Sequence, residues 1–345
     1  MKDKRKENLK GIWGFLIKSF NGMAFGLFST LIVGTIIGQI GNLTNINFFL
    51  DLAKVLKSLT GIGIGIGISH SLGLEGLKLI SGGVAGGIAG MYKVLNGITV
   101  YGVDVGNPLT IYIVVLLVVL VLKFVFVIKT PVDIILIPLL AVTVGFGAYL
   151  LLDKPINYIT DGISEFVKIG VNAQPFFMGI FLAVVMGILL TSPLSSAAIA
   201  IVAGVGGIAG GAAVVGCSVQ MLGFAVMSRK DNNIGTVISV GIGTSMLQFK
   251  NIMKKPIIWL PTIIVSAILG PFSTLLFKME TTQIGAGMGT SGLVGQFQTF
   301  EAMGPGLNTW LAIIILQILA PIILVYIFDI VFRKAGLIKE GDLKV

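Results

Sequence analysis

Apolar residues along this chain come in long unbroken runs, not in alternating or one-faced patterns. Runs at 20–41, 109–128, 131–152, 173–192, 256–278 and 307–332 each approach the ~20 apolar residues that one bilayer crossing takes. Two glycine-rich regions, 60–95 and 194–228, are each long enough for about two more. The pattern predicts an all-α polytopic membrane protein of about ten transmembrane helices with both termini inside. Two stretches are amphipathic instead. In 45–59, Phe48, Leu52, Val55, Leu56 and Leu59 lie opposite Asp51, Lys54 and Lys57; in 154–171, Ile156, Ile159, Ile163 and Phe166 mix with Asp161, Glu165 and Lys168. Helices of this kind lie in the headgroup plane.

One stretch breaks the picture. "TGIGIGIGISH", Thr60 to His70, alternates as a strand would and leads to the only histidine. An isolated strand in hydrocarbon leaves its backbone unpaired, so a helix is predicted. At about 100° per residue, Gly61 and Gly65 then share one face and Gly63 and Gly67 the opposite one, giving two grooves that each admit a close neighbour. His70 falls beside the second groove, at a helix–helix seam.

Composition agrees with a lipid solvent: 55% hydrophobic residues, 11% charged, mean hydropathy +1.01. The net charge of +9 is not a nucleic-acid signal, because the cations sit at the ends of apolar runs. Lys2, Lys4, Arg5, Lys6 and Lys10 precede the first; Arg229, Lys230, Lys250, Lys254, Lys255, Arg333 and Lys334 flank others. That is the positive-inside distribution. It predicts a basic cytoplasmic N-terminus (1–19), one transmembrane domain (20–335) and a cytoplasmic tail (336–345), in the plasma membrane of a bacterial cell. The single cysteine, Cys217, excludes intrachain disulfides and cysteine zinc sites and reads as a small buried residue.

The chain also repeats itself. "MAFGLFSTLIVGTII" (23–37) aligns with "PFFMGIFLAVVMGILL" (175–190), "GGIAG" occurs at 86–90 and 206–210, and "KTPVDIILIP" (129–138) echoes "KKPIIWLP" (254–261). Three matches in order indicate a duplication, with halves near 20–152 and 173–333, as in many secondary transporters. Whether the halves are parallel or inverted stays open.

Polar groups at membrane depth are functional candidates. "GIGTSMLQ" (241–248) and "GAGMGTSGLVGQ" (285–296) share G-x-G-T-S-x-L, which singles out Thr244, Ser245, Gln248, Thr290, Ser291 and Gln296. The second stretch is too polar to cross alone; a re-entrant hairpin lining a polar solute site fits it, an extramembrane loop being the other reading. Asp104 and Asn107 precede a span and read either as a helix cap or as ligand contacts. His70 with Glu75 suits a hydroxylated solute or a proton relay; a satisfied polar contact is the plain alternative. Glu301 closes the second polar stretch. "LLTSPLSSAA" (189–198) reads as a proline break re-satisfied by hydroxyls. No P-loop, nucleophile–base arrangement or paired catalytic carboxylates can be read from spacing, so no catalytic residue, cofactor or metal is expected.

"GIGTSMLQFKNIMKKPIIWLP", "LGPFSTLLFKME" and "GAGMGTSGLVGQ" resemble the second phosphotransferase-system EIIC group, the PfoR-like proteins, grouped both with sugar permeases and with toxin regulators. The resemblance runs over about residues 15 to 335. It implies a IIC-type fold with a substrate site between the halves, a sugar passed inward while a separate IIB protein phosphorylates it, IIA and IIB as partners, and a homodimer. This chain has no segment suited to a IIA or IIB domain. The glutamate of a T-E-P type motif is not visible, Glu75 and Glu301 being loose stand-ins. Two functions follow: a transporter for a small polar solute, a sugar foremost, or a membrane sensor that keeps the IIC fold without transporting.

Overall fold

Backbone groups in hydrocarbon must pair within their own segment, and the apolar runs accordingly form helices. The computed structural model describes residues 2–95, 98–101, 106–128 and 130–345. The chain divides into two compact units, Met1–Asn157 and Tyr158–Val345.

In the first unit, α1 (Lys2–Leu27) passes through a π turn (Phe28–Ile32) into α2 (Val33–Thr44); α3 (Asn47–Ser58), α4 (Thr60–Ser71) and α5 (Gly76–Met91) follow. A short antiparallel hairpin, β1 (Tyr92–Leu95) with β2 (Ile98–Tyr101), precedes α6 (Pro108–Val125) and α7 (Asp133–Val171), within which the unit boundary falls. The hairpin departs from the all-helical expectation, although its signal was present: Asn96-Gly97 flanked by β-branched residues. The alternating glycine stretch is α4, and both grooves are filled. Gly63 and Gly67 lie against Gly26 and Gly22 of α1; Gly61 and Gly65 lie against Gly86 and Gly82 of α5. A Cβ on Gly65 would stand 2.9 Å from the Gly83 Cα, and one on Gly86 3.0 Å from the Gly65 Cα. Only hydrogen side chains allow these backbones to approach so closely.

In the second unit come α8 (Pro175–Thr191), α9 (Ser196–Ala203), α10 (Gly207–Ser228), α11 (Ile234–Ile238), α12 (Phe249–Lys254), α13 (Leu260–Pro271), α14 (Gln283–Ala286), α15 (Val294–Met303), α16 (Leu307–Ala312) and α17 (Ala320–Lys334). α10 is the axis: every residue from Ala209 to Met221 is buried. Its small residues admit neighbours on several sides, Gly216 beside the Ala183 carbonyl of α8, Gly211 beside Met279, and Cys217 beside Gly289. Where α10 ends, Asp329 of α17 is fully buried between Arg229 (2.9 Å) and Arg333 (2.8 Å).

Among the described residues, six helical stretches are long and apolar enough to cross a membrane: Gly11–Asn42, Pro108–Val125, Asp133–Val171, Gly207–Ser228, Pro256–Phe277 and Leu307–Lys334. The pair α3–α4, bent by 46°, makes a seventh if it is one span. The count is therefore below the ten expected. The glycine-rich 60–95 region makes two short helices, 194–228 makes one long helix and one short, and 173–192 makes the 17-residue α8. The amphipathic 154–171 stretch is not a separate helix; it belongs to α7, which carries Pro138 and Pro155 inside it. Large apolar residues such as Phe124 (77%) and Ile128 (79%) are exposed, as lipid-facing side chains are. The protein is a polytopic membrane protein.

Candidate polar site in the second unit

A glutamine inside an apolar helix must find partners or remain costly. Gln220 of α10 is fully buried, and its Oε1 faces three donors: Trp259 Nε1 at 2.9 Å, Thr262 Oγ1 at 3.0 Å and Thr191 Oγ1 at 3.4 Å. Thr191 in turn lies 2.8 Å from Ser245 Oγ. The backbone breaks where these groups meet. α8 ends at Thr191, ahead of Pro193, and the first G-x-G-T-S stretch leaves a π turn (Ser239–Gly243) for an extended Thr244 (φ −158°) before a 3-10 turn (Ser245–Gln248). The Thr244 hydroxyl caps that turn by accepting from Met246 N at 3.2 Å. Gln220 Nε2, an amide donor with two hydrogens, has no partner among the described residues.

The second G-x-G-T-S stretch lies across the first. Thr290 Oγ1 donates to the Gly241 carbonyl (2.5 Å) and Ser291 Oγ to the Gly243 carbonyl (2.8 Å), closing acceptors that the broken helix leaves open. Positive φ at Gly289 (53°) and Gly292 (54°) lets the chain turn there, and Gly289 is the close approach to α10. The stretch is a pair of short helices, α14 and α15, joined by a turn whose residues from Gly289 to Gly292 are buried. Behind it a second amide chain runs through the unit: Gln296 Nε2 to Gln317 Oε1 (2.7 Å), then Gln317 Nε2 to Thr299 Oγ1 (2.9 Å). Gln296 Oε1 is buried and has no partner among the described residues.

Thr244, Ser245, Thr290, Ser291 and Gln296 are thus buried in one unit, and the two motifs interlock. Gln248 points elsewhere, its Nε2 donating to the Leu343 carbonyl (2.9 Å) and its Oε1 accepting from Asn251 (2.7 Å). Glu301 is exposed and accepts from Gln298 at 2.6 Å. The remaining candidates belong to the first unit. Asn107 is the N-cap of α6, accepting from Leu109 N at 3.0 Å, and its Nδ2 donates to Asn157. His70 and Glu75 are exposed. The expectation that His70 is held in a helix–helix seam is corrected: α1 packs on Gly63 and Gly67 of α4, while His70 is exposed. Asp104 lies outside the described residues.

Gln220, Thr191, Trp259, Thr262 and Gln317 were not picked out as ligand contacts. The usable signal was the lone glutamine in "VGCSVQMLGF" and in "IIILQILA", each a side-chain amide at membrane depth. Cys217 is a buried thiol 3.5 Å from the Met186 and Ala286 carbonyls. A cavity of about 560 Å³ in the first unit is lined by Ile62, Val84, Ile88, Met91, Phe146 and their neighbours; it offers a polar solute almost nothing to bond.

Comparison with curated proteins and with solved structures gives no match. The sequence profile of a protein family described as "Phosphotransferase system, EIIC" matches residues 17–345.

Proposed function

Since the chain belongs to the EIIC family of the phosphotransferase system, we propose that this membrane permease component takes a sugar as its solute and binds it at the polar cluster around Gln220. The carrying observation is the buried, unpartnered Gln220 Nε2. Leaving such a donor unpaired costs on the order of 1–3 kcal/mol, a cost that a solute hydroxyl would remove. Half-buried Trp259 beside it supplies the apolar ring face, and Thr191 and Ser245 supply hydroxyls that can turn from each other to a ligand. Thr290 and Ser291 hold this cluster by closing the broken backbone beside it, Gln296 braces the hairpin behind them through Gln317, and His70, Glu75 and Glu301 take no part. Cys217 is buried and unsuited to a phosphocysteine role, and phosphorylation of the sugar is assigned to separate IIA and IIB proteins acting at the inner face.

Uptake of labelled sugars into proteoliposomes, with and without phosphoryl-donor proteins, tests this. Ser245→Ala and Gln220→Leu should each raise the half-saturating sugar concentration at least tenfold while the protein stays folded in detergent. Unchanged uptake in both variants would remove the proposed site. Failure of the wild type to bind or carry any sugar would leave the sensing function as the better account.

A further inference from the structure

The chain after α17 does not trail away. Positive φ at Gly336 (71°) and Gly341 (87°) turns it back, and Leu343 ends fully buried. Its main chain is held in an unusual manner. Asp231 accepts from Gly341 N (2.9 Å) and Leu343 N (3.1 Å); Asn232 donates to the Leu343 carbonyl (2.8 Å) and accepts from Val345 N (2.9 Å). Gln248 donates to that same carbonyl (2.9 Å), and Asn251 donates to the Lys344 carbonyl (3.1 Å). Lys255 pairs with Asp342 at 2.5 Å. Among the described residues, the backbone–backbone bonds of 339–345 stay inside the segment, Asp342 N to Lys339 O and Lys344 N to Gly341 O. The rest of the unit holds the segment through side chains alone.

We propose that Asp231, Asn232, Gln248, Asn251 and Lys255 form a binding site for a turn of peptide main chain with a leucine anchor, and that Lys339–Val345 is its tethered, displaceable occupant. Two amide side chains converge on the Leu343 carbonyl, and one carboxylate accepts from the N–H groups of Gly341 and Leu343, two residues apart on the turn, so the contacts read main chain and not side chains. Ordinary chain packing would bury several side chains of the segment, but here Leu343 is its fully buried one, and the cup reads backbone. Displacement leaves behind polar groups that water can satisfy, so the empty cup is an accessible state. A tethered occupant acts at an effective concentration near the millimolar range, so a free peptide of the same sequence should enter only when the tether is disabled. When docked, the strap covers Gln248 and Asn251 at one end of the first G-x-G-T-S stretch. The inference does not depend on sugar transport.

The test uses the full chain in lipid nanodiscs and a fluorescent heptapeptide, Lys-Glu-Gly-Asp-Leu-Lys-Val. Leu343→Asp places a charge in the leucine pocket beside Asp231; Asp342→Lys opposes Lys255. Both should free the strap by different means and leave the cup intact. Each variant should bind the heptapeptide saturably and at least tenfold more tightly than the wild type. Adding Asn232→Ala should abolish that gain, and a peptide carrying Asp for Leu should not bind. Equal binding by wild type and both variants, or no binding by any, would overturn the proposal.

Discussion

Gly65→Ala tests the packing of α4 most sharply, because helix propensity and tertiary contact predict opposite signs. Propensity alone favours alanine by about 1 kcal/mol. In place, however, the new methyl would overlap the Gly82 carbonyl oxygen and stand 2.9 Å from the Gly83 Cα. Carbon atoms rest at about 3.5–4.0 Å, so α4 and α5 must separate by roughly 0.5–1 Å, which forfeits about a quarter to a half of each dispersion contact. For a seam of roughly 40 heavy-atom pairs at about 0.1–0.2 kcal/mol each, the loss is about 1–4 kcal/mol. Subtracting the propensity gain leaves a net loss of up to about 3 kcal/mol, the upper end of the usual cost of overpacking. Gly147→Ala in α7 is the control, since a Cβ there meets nothing within 4 Å. Thermal unfolding in detergent should place Gly65→Ala several degrees below wild type and Gly147→Ala at or above it. If the two variants melted together at or above wild type, the close-packed seam would be refuted.

Other predictions follow the polar groups. Thr290→Val with Ser291→Ala strips two hydroxyls from the Gly241 and Gly243 carbonyls; a loss of about 2–4 kcal/mol should appear in unfolding, with reduced sugar uptake. Asp329→Ala leaves Arg229 and Arg333 facing each other without their shared carboxylate and should cost about 3 kcal/mol, seen as a lower melting temperature. Burial pushes the Asp342 carboxyl up, but the Lys255 ammonium, the Lys339 N–H and the Lys339 charge outweigh it and hold it below the ordinary range. A depressed carboxylate stabilises the docked strap above its undocked pKa and loses that contribution as pH falls through the docked one. Amide exchange at Gly341 and Leu343 should therefore stay slow at neutral pH, relative to unprotected amides at the same pH, and lose that protection below about pH 4; pH-independent protection would contradict the Lys255–Asp342 latch.

Much of the fold was legible because hydrocarbon leaves the backbone few choices. Long apolar runs had to be helices, and glycine at every second position on a helix had to make two opposed grooves; Gly22, Gly26, Gly82 and Gly86 fill them. The span count was less legible: run length alone does not say where Pro193, or the turn carrying positive φ at Gly73 and Gly76, ends a helix short of a full crossing. Of the candidate site, the shared G-x-G-T-S pattern marked two broken, buried stretches, but not that the hydroxyls of one would close the carbonyls of the other.

What the sequence determined by itself was the solvent, the helices and the faces that small residues open on them, since those depend on local composition and period. Which polar groups meet was decided only by tertiary structure. Gln220 became a hub because Trp259, Thr262 and Thr191, from 29 to 42 positions away, converge on it. Gln248 turned to Leu343, 95 positions distant, and His70 is exposed although Gly63 and Gly67, on its side of α4, pack against α1. Periodicity assigns a side chain to a face; its partner depends on which helix packs there, and that is a property of the whole fold.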